Sequence, residues 1–259
     1  MKNKLNIFNL IIVFLSALVL LFIIAPLTGM VLSTSFPSIV ETTQDVEVQN
    51  SILITLLTAF AATIVFAIAG VPFAYFLSRK DFPGKQLVLG IINLPIVIPH
   101  TAAGIAVLGF ISRDSIPGKI ADTFGYSLVG SPAGISLAMA FVSVPFLLNA
   151  ARDGFAGVPV RLEKAALNLG ASPARVFFTI SLPLAWRNIV SGAIMMFARG
   201  MSEFGAVIIV AYHPMITPVL IYERFSTFGL KYAQPVAVIF ILVTLVFFVA
   251  LRLVAIKKQ

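Results

Sequence analysis

Long apolar segments separated by shorter polar ones run through the whole chain. A helical crossing of a bilayer needs about 20 apolar residues. Apolar stretches of that length predict helices, because a helix satisfies its own backbone hydrogen bonds where no water is present. The sequence therefore predicts six transmembrane helices, over residues 7–33, 51–77, 87–111, 132–151, 188–211 and 233–251.

Composition supports a membrane protein. Of the 259 residues, 59% are hydrophobic and 11% are charged, about half the usual charged share. A chain of this kind cannot hide its apolar surface in a soluble core. We therefore predict an all-α integral membrane protein with a single transmembrane domain over residues 1–259. The sequence has no cysteine and only two histidines, and we expect no metal site.

The distribution of basic residues predicts the orientation in the cell membrane. Loops on the cytoplasmic side of a membrane protein are enriched in lysine and arginine. With both termini in the cytoplasm, the inner segments hold most of the 18 basic residues: Lys2, Lys4, Arg79, Lys80, Lys85, Arg152, Arg161, Lys164, Arg175, Arg187, Arg252, Lys257 and Lys258. The net charge of +8 thus reflects membrane orientation, and we expect no nucleic-acid partner.

The polar segment 161–183 separates the fourth and fifth apolar segments, on the predicted cytoplasmic side. Gly170 is suited to end a first short helix in a left-handed conformation. Ser172 followed by Pro173 is typical of a helix start, with Ser as the N-cap. Pro183 is expected to mark the exit of the second helix. The polar segment is therefore predicted to form a helix–turn–helix.

The polar segment also resembles the signature loop of permease subunits of ABC importers, which reads Glu-Ala-Ala, three residues, Gly, nine residues, Ile, one residue, Leu-Pro. The matching residues are Ala165, Ala166, Gly170, Ile180, Leu182 and Pro183. Lys164 takes the place of the family glutamate, and Glu163 precedes it. The alternative is an ordinary amphipathic loop.

This resemblance implies the fold of a type I ABC importer permease, with a loop at about 153–185 that docks into a cytoplasmic ATPase. The residues implied in coupling to the ATPase are Glu163, Lys164, Ala165, Ala166, Gly170, Ser172, Pro173, Ile180, Leu182 and Pro183.

Arg199 and Glu203 are the only charged residues within a predicted crossing. Charged groups at this depth usually pair with each other or face a cavity. Their spacing of four places both on one face of a helix, within reach of each other. Arginine before glutamate is the less favourable order for an isolated helix, so we also expect a partner on a neighbouring helix. Two readings stay open, a gate in the transport pathway and a structural ion pair.

Further pathway candidates are Pro95, Pro99, His100 and Ser202. Each proline removes a backbone donor and frees a carbonyl group, so a helix containing both can line a pathway or merely be kinked. His100 is either a titrating group or a packing residue.

Three stretches resemble permeases for tetrahedral oxyanions: ARGMSEFGA (198–206), LPIVIPHTAAGIAVL (94–108) and LSRKDFPGK (77–85). Ser202 replaces a glycine of that pattern, and His100 replaces a second proline. The resemblance implies a permease for molybdate or tungstate, and sulfate permeases share much of the pattern.

The family further implies a homodimer that works with two ATPase subunits and an external oxyanion-binding protein. The chain lacks the G-x-x-x-x-G-K-[ST] phosphate loop, so we expect no enzyme activity and no cofactor in this chain, with ATP and Mg bound by the ATPase. The alternatives are an ion-coupled secondary transporter, which favours several intramembrane carboxylates, and an intramembrane enzyme, for which no catalytic set converges.

The predicted orientation is testable with single cysteines. A cysteine at Thr43 should react with a membrane-impermeant thiol reagent added outside intact cells, and a reporter fused after Gln259 should be active only in the cytoplasm. The basis is the excess of lysine and arginine on the predicted inner side. Labelling of the Thr43 position only after the membrane is opened would reverse the orientation.

Overall fold

The computed structural model describes residues 7–256, with side chains up to residue 253. The regular elements of that range are helices. They are α1 (Ile7–Ser33), α2 (Phe36–Gln44), α3 (Val46–Arg79), α4 (Lys85–Val97), α5 (His100–Ile111), α6 (Ile116–Thr123), α7 (Pro132–Ala156), α8 (Val160–Asn168), α9 (Pro173–Val176), a π-helical turn (Phe177–Ser181), α10 (Leu182–Met201), α11 (Gly205–Val210), α12 (Thr217–Phe228) and α13 (Leu230–Ile256). Part of the orientation argument lies outside the described residues, on Lys2, Lys4, Lys257, Lys258 and Gln259.

Five helices in the described range are long and apolar enough to cross a membrane, and α4 and α5 together make a sixth span if the bent pair is counted as one. The all-helical, multi-pass architecture expected from the sequence is confirmed. The crossings are longer than predicted in most cases. For example, α3 has 34 residues where the apolar segment suggested 51–77, because its first turns carry the polar residues of the preceding loop.

The predicted crossing 87–111 is not one straight helix. It is divided into α4 and α5, which meet at an angle of 112°. Ile98 and Pro99, between them, both have extended backbone. Proline has no N–H and forces the preceding residue out of the helical region. The kink expected from the prolines is therefore a full break.

The predicted crossing 188–211 is wrong at both ends. A single helix of 29 residues runs from Pro173 to Met201, through α9, the π-helical turn and α10. Pro183 does not end the second helix of the polar segment. In the π-helical turn the N–H of Leu182 bonds to the carbonyl of Phe177, five residues back, and this wider turn leads the helix past the proline.

The loops predicted on the outer side contain short helices. Residues 34–50 hold α2 and the first turn of α3, and residues 112–131 hold α6. Ser35 and Ser115 cap the N-termini of α2 and α6, as serine does at many helix starts. The expectation of a surface-lying segment in 112–131 agrees with the short helix there.

Helix α7 is the centre of the core and packs against α3, α10, α4, α5 and α11. Its buried residues include Ala138, Ala140, Ala151 and Ser143, whose small side chains allow close packing of neighbouring helices. By contrast, α1 has no buried residue and exposes apolar side chains along its length, as a helix surrounded by lipid does.

Candidate functional site

The two helix breaks nearest the protein's intramembrane charges meet at one place. Arg199 lies in the last turn of α10, and Glu203 lies in the break between α10 and α11. His100 is the first residue of α5, directly after the break at Pro99. The structure thus brings together two predicted candidates that are four residues apart and a third from 99 residues earlier in the chain.

These three side chains form the pathway cluster, defined as His100, Arg199 and Glu203. Arg199 Nη2 lies 2.9 Å from Glu203 Oε2, and His100 Nδ1 lies 2.8 Å from the same oxygen. The Glu203 side chain is 0% exposed, while those of His100 and Arg199 are 37% and 25% exposed. The expected ion pair and the expected partner from another helix are both present.

The His100 ring contacts both members of the ion pair. Its Nδ1 lies 2.8 Å from Glu203 Oε2, and Arg199 Nη2 lies 2.8 Å from Nδ1 and 3.0 Å from Nε2. Glu203 Oε1 accepts from the backbone N–H of Ala206 at 2.8 Å. Both carboxylate oxygens are therefore satisfied, as a buried carboxylate requires. Arg199 and Glu203 cancel in charge, so the cluster offers donors at its exposed edge without a large net charge.

The placement of the pair differs from the prediction in one respect. The sequence placed Arg199 and Glu203 on one face of one helix, but α10 ends at Met201. The Glu203 carboxylate caps the free N–H of Ala206 at the start of α11, which stabilises the break. Ser202 follows α10 as its C-cap and is exposed, and Arg199 Nη1 lies 3.4 Å from its Oγ.

The two prolines do not contribute polar groups to the pathway cluster. Pro95 is buried within α4, and Pro99 forms the break that places His100 at the start of α5. Gly205 lets His100 approach: a Cβ atom at Gly205 would lie 2.7 Å from His100 Cβ, closer than two carbon atoms pack. No group of three or more metal-binding side chains occurs in the described part of the chain.

The polar segment is a helix–turn–helix, as predicted. Gly170 follows α8 with φ of +87°, the left-handed conformation that glycine adopts without strain. The Ser172 side chain accepts from the N–H of Arg175 and caps α9. Among the predicted coupling residues, Lys164, Ala165, Gly170, Ser172, Pro173 and Pro183 are exposed, Ala166, Ile180 and Leu182 are half-buried, and Glu163 is buried.

Glu163 is held by Arg79, the last residue of α3. The two guanidinium nitrogens Nε and Nη2 each lie 2.8 Å from a different carboxylate oxygen of Glu163, a bidentate geometry that favours this pair. Ser181 Oγ donates to Glu163 Oε1 at 2.7 Å. Arg79 Nη2 also donates to the carbonyl of Val158 at 3.1 Å. One arginine therefore ties α3 to the start of the polar segment and, through Glu163, to the π-helical turn.

These contacts lower the pKa of the Glu163 carboxyl group. Burial raises the pKa of Glu163, but hydrogen bonds from Arg79 and Ser181 and the charge of Arg79 outweigh it, so that the pKa lies below its ordinary value. The Arg79 guanidinium also lies over the ring of Tyr75, 5.7 Å from its centre. The carboxylate is charged at neutral pH and faces the protein interior.

The sequence did not predict that Arg79 and Ser181 bind Glu163. Arg79 was counted only as a basic residue at the end of an apolar segment, and 84 residues separate it from Glu163. The sequence shows only that Arg79 is a basic residue expected on the same side of the membrane as Glu163. Lys80 and Lys85 share this property, so it does not identify Arg79 as the partner of Glu163.

The sequence of the chain matches a known family over most of its length. Residues 68–257 match the family described as binding-protein-dependent transport system inner membrane component. The chain belongs to this family. Members of this family are transport components and not enzymes. The family therefore does not support the alternatives of an intramembrane enzyme and an ion-coupled secondary transporter.

Relatives of this inner membrane component include two archaeal proteins named molybdate/tungstate transport system permease protein WtpB. The Thermococcus kodakarensis protein is 46% identical over 85% of this chain and 84% of its own length. The Methanocaldococcus jannaschii protein is 40% identical over 91% of this chain and 92% of its own. The molybdenum transport system permease protein ModB of Escherichia coli K12 is 39% identical over 61% of this chain and 70% of its own.

Solved structures show the same fold for this inner membrane component. A bacterial ABC transporter that imports the acidic polysaccharide alginate matches with a TM-score of 0.73 and 16% identity, over 96% of this chain and 95% of its own. The MetNI methionine ABC transporter, in an inward-facing conformation, matches with a TM-score of 0.62 and 15% identity, over 82% of this chain and 94% of its own. The type I importer permease fold is confirmed.

A double-mutant cycle tests the coupling within the pathway cluster. Arg199→Gln and Glu203→Gln should each lower the yield of folded protein. Arg199→Gln leaves the buried Glu203 carboxylate without its arginine, at a cost of roughly 3–5 kcal/mol in a dry site, and Glu203→Gln costs less because the Arg199 side chain is 25% exposed. The double variant should cost less than the sum of the two. Folded yield is measured by size-exclusion chromatography in detergent.

The cycle also separates the two roles. Recovery of folded yield without transport in the double variant supports a gate, and recovery of both supports a structural pair. Simple addition of the two single effects would show that Arg199 and Glu203 do not depend on each other.

Another prediction concerns the close approach of α5 to α11 and compares alanine substitutions at Gly205 and Gly200. Gly205→Ala should displace His100 and lower the thermal unfolding midpoint, because an added methyl group in a packed site costs about 1–3 kcal/mol. Gly200→Ala is the control, since a Cβ there meets its nearest neighbours at 3.7 Å, an ordinary contact. Equal midpoints for the two variants would contradict the close approach at Gly205.

Proposed function

We propose that this chain is the membrane-spanning permease subunit of an ATP-driven importer of molybdate or tungstate. The observation that carries the proposal is the 46% identity to the Thermococcus kodakarensis molybdate/tungstate permease over 85% of this chain. The stretches 94–108 and 198–206, which resemble oxyanion permeases, hold all three residues of the pathway cluster.

The proposed assembly contains two copies of this chain, two cytoplasmic ATPase subunits and an external oxyanion-binding protein. Each copy of this chain has one polar segment that can dock an ATPase subunit. Two ATPase subunits therefore require two permease chains. A structural relative of the same fold is described as a bacterial alginate ABC transporter in complex with a periplasmic protein that holds an alginate pentasaccharide. In this arrangement the polar segment and both termini face the cytoplasm, as the basic residues predict.

The proposed mechanism is alternating access. ATP closes the two ATPase subunits, the polar segments move with them, and the pathway opens outward to take up the anion from the binding protein. The helix Pro173–Met201 supports this coupling, because it starts in the polar segment and ends beside Glu203. With 29 residues it is about 40 Å long, and a displacement of its first turns moves Arg199 at its far end.

The pathway cluster is proposed as a gate that the anion passes. Arg199, beside His100 and Ser202, presents guanidinium N–H donors at an exposed edge, and such donors fit the acceptor oxygens of a tetrahedral oxyanion. Glu203 balances the charge of Arg199, which prevents the tight binding that would hinder release. Pro95 and Pro99 contribute by breaking the helix that carries His100. ATP and Mg would be bound by the ATPase subunit.

Sulfate is the alternative substrate, and its support is weaker. A protein of Chlorokybus atmophyticus named as a probable sulfate transport system permease is 30% identical over 76% of this chain and 70% of its own length. Both the identity and the coverage are lower than for the archaeal molybdate/tungstate relatives.

An uptake assay tests the proposed function. Proteoliposomes that contain the permease and its co-expressed ATPase subunit should accumulate radiolabelled tungstate only with ATP and the oxyanion-binding protein. Excess unlabelled molybdate should abolish this uptake, while the same excess of sulfate should reduce it little. Competition by sulfate as strong as that by molybdate would move the assignment to a sulfate permease. Uptake without ATP would contradict an ATP-driven importer.

A further inference from the structure

The function proposed so far does not say which chemical groups of the ATPase meet the exposed charges of the polar segment. Its charged residues are Arg161, Glu163, Lys164 and Arg175. The three basic residues are exposed, whereas the Glu163 side chain is only 7% exposed and is paired with Arg79. In the part of the chain that the structure describes, none of these three basic side chains forms an ion pair.

The pairing of Glu163 with Arg79 makes the exposed surface purely basic. Arg79 and Ser181 occupy the Glu163 carboxylate, so the only negative charge of the segment is turned inward. We define the basic face as Arg161, Lys164 and Arg175. Arg161 and Lys164 are three residues apart on α8 and therefore share one side of that helix, and Arg175 belongs to the second helix of the segment.

Exposed leucines accompany these charges. Leu162 and Leu167 on α8 are 42% and 43% exposed, and Leu169 at the turn is 89% exposed. These three leucines are thus not packed against the rest of the chain. Apolar side chains surrounded by charges of one sign are typical of a surface that another protein covers, with the charges setting partner choice.

We propose that carboxylate side chains lining the docking cleft of the ATPase subunit bind the basic face, with Lys164 as a central contact. This inference rests on the proposed function, which supplies the ATPase as the partner. The basic face exposes three positive charges with no exposed negative charge among them. Such a surface is complementary to a negatively charged one, so the cleft that fits this chain is acidic.

Zero-length cross-linking provides a direct test. A carbodiimide reagent joins an amine to a carboxylate only when the two are in contact. In the detergent-solubilised complex of the permease with its co-expressed ATPase, mass spectrometry should find Lys164 joined to an aspartate or glutamate of the ATPase. Lys164→Arg keeps the charge, so that variant should retain the ATPase and lose this cross-link.

Charge reversal tests the contribution to affinity. Lys164→Glu should weaken ATPase binding by about tenfold or more, because like charges facing each other across an interface are unfavourable. Lys119→Glu is the matched control, since Lys119 is exposed on α6, on the side predicted to face away from the ATPase. Rising salt should weaken the wild-type complex and affect Lys164→Glu less. Binding is measured by titration of the ATPase onto immobilised permease.

Three results would overturn the inference. The first is a complex in which Lys164→Glu binds the ATPase as tightly as wild type does. The second is a Lys164 cross-link that forms only with the headgroups of anionic lipid, which would assign the basic face to the bilayer surface. The third is a wild-type permease that retains no ATPase, and this result would overturn the proposed function as well. The first two leave that function intact.

Discussion

The lack of water in the bilayer constrains the irregular parts of this protein that lie within the membrane, because a helix broken there must satisfy its polar groups from within the chain. Glu203 meets this constraint in the break between α10 and α11. One carboxylate oxygen binds the N–H of Ala206, and the other binds Arg199 and His100. A single buried carboxylate thus holds α5, α10 and α11 together where two of the chain's helices are interrupted.

A second buried carboxylate joins helices outside the membrane span. Glu163 is bound by Arg79 and Ser181, so α8 is fixed to the end of α3 and to the π-helical turn. The helix that begins at Pro173 passes through this turn and ends at Met201, two residues before Glu203. Glu163 therefore contacts this helix at Ser181, and Glu203 lies just beyond its last residue. One continuous helix thus connects the polar segment to the pathway cluster.

Much of the architecture followed from local patterns. Apolar segments near the length of a bilayer crossing gave the helical, multi-pass fold, and the conformations at Gly170 and Ser172 followed from the backbone preferences of those two residue types. The pairing of Arg199 with Glu203 also followed, since it needs only a spacing of four residues. Its geometry did not, because the sequence continued the helix where Glu203 instead caps α11.

The sequence by itself determined where the chain prefers lipid, where its turns lie, and which two charges inside the membrane must meet. These features depend on side-chain polarity and on backbone preferences within a few residues. Only the tertiary structure decided that His100 joins the pathway cluster, that Arg79 turns Glu163 inward, and that the helix continues past Pro183. The first two depend on contacts across 99 and 84 residues, which helix packing brings together. The third depends on a π-helical hydrogen bond, which a proline in the sequence does not reveal.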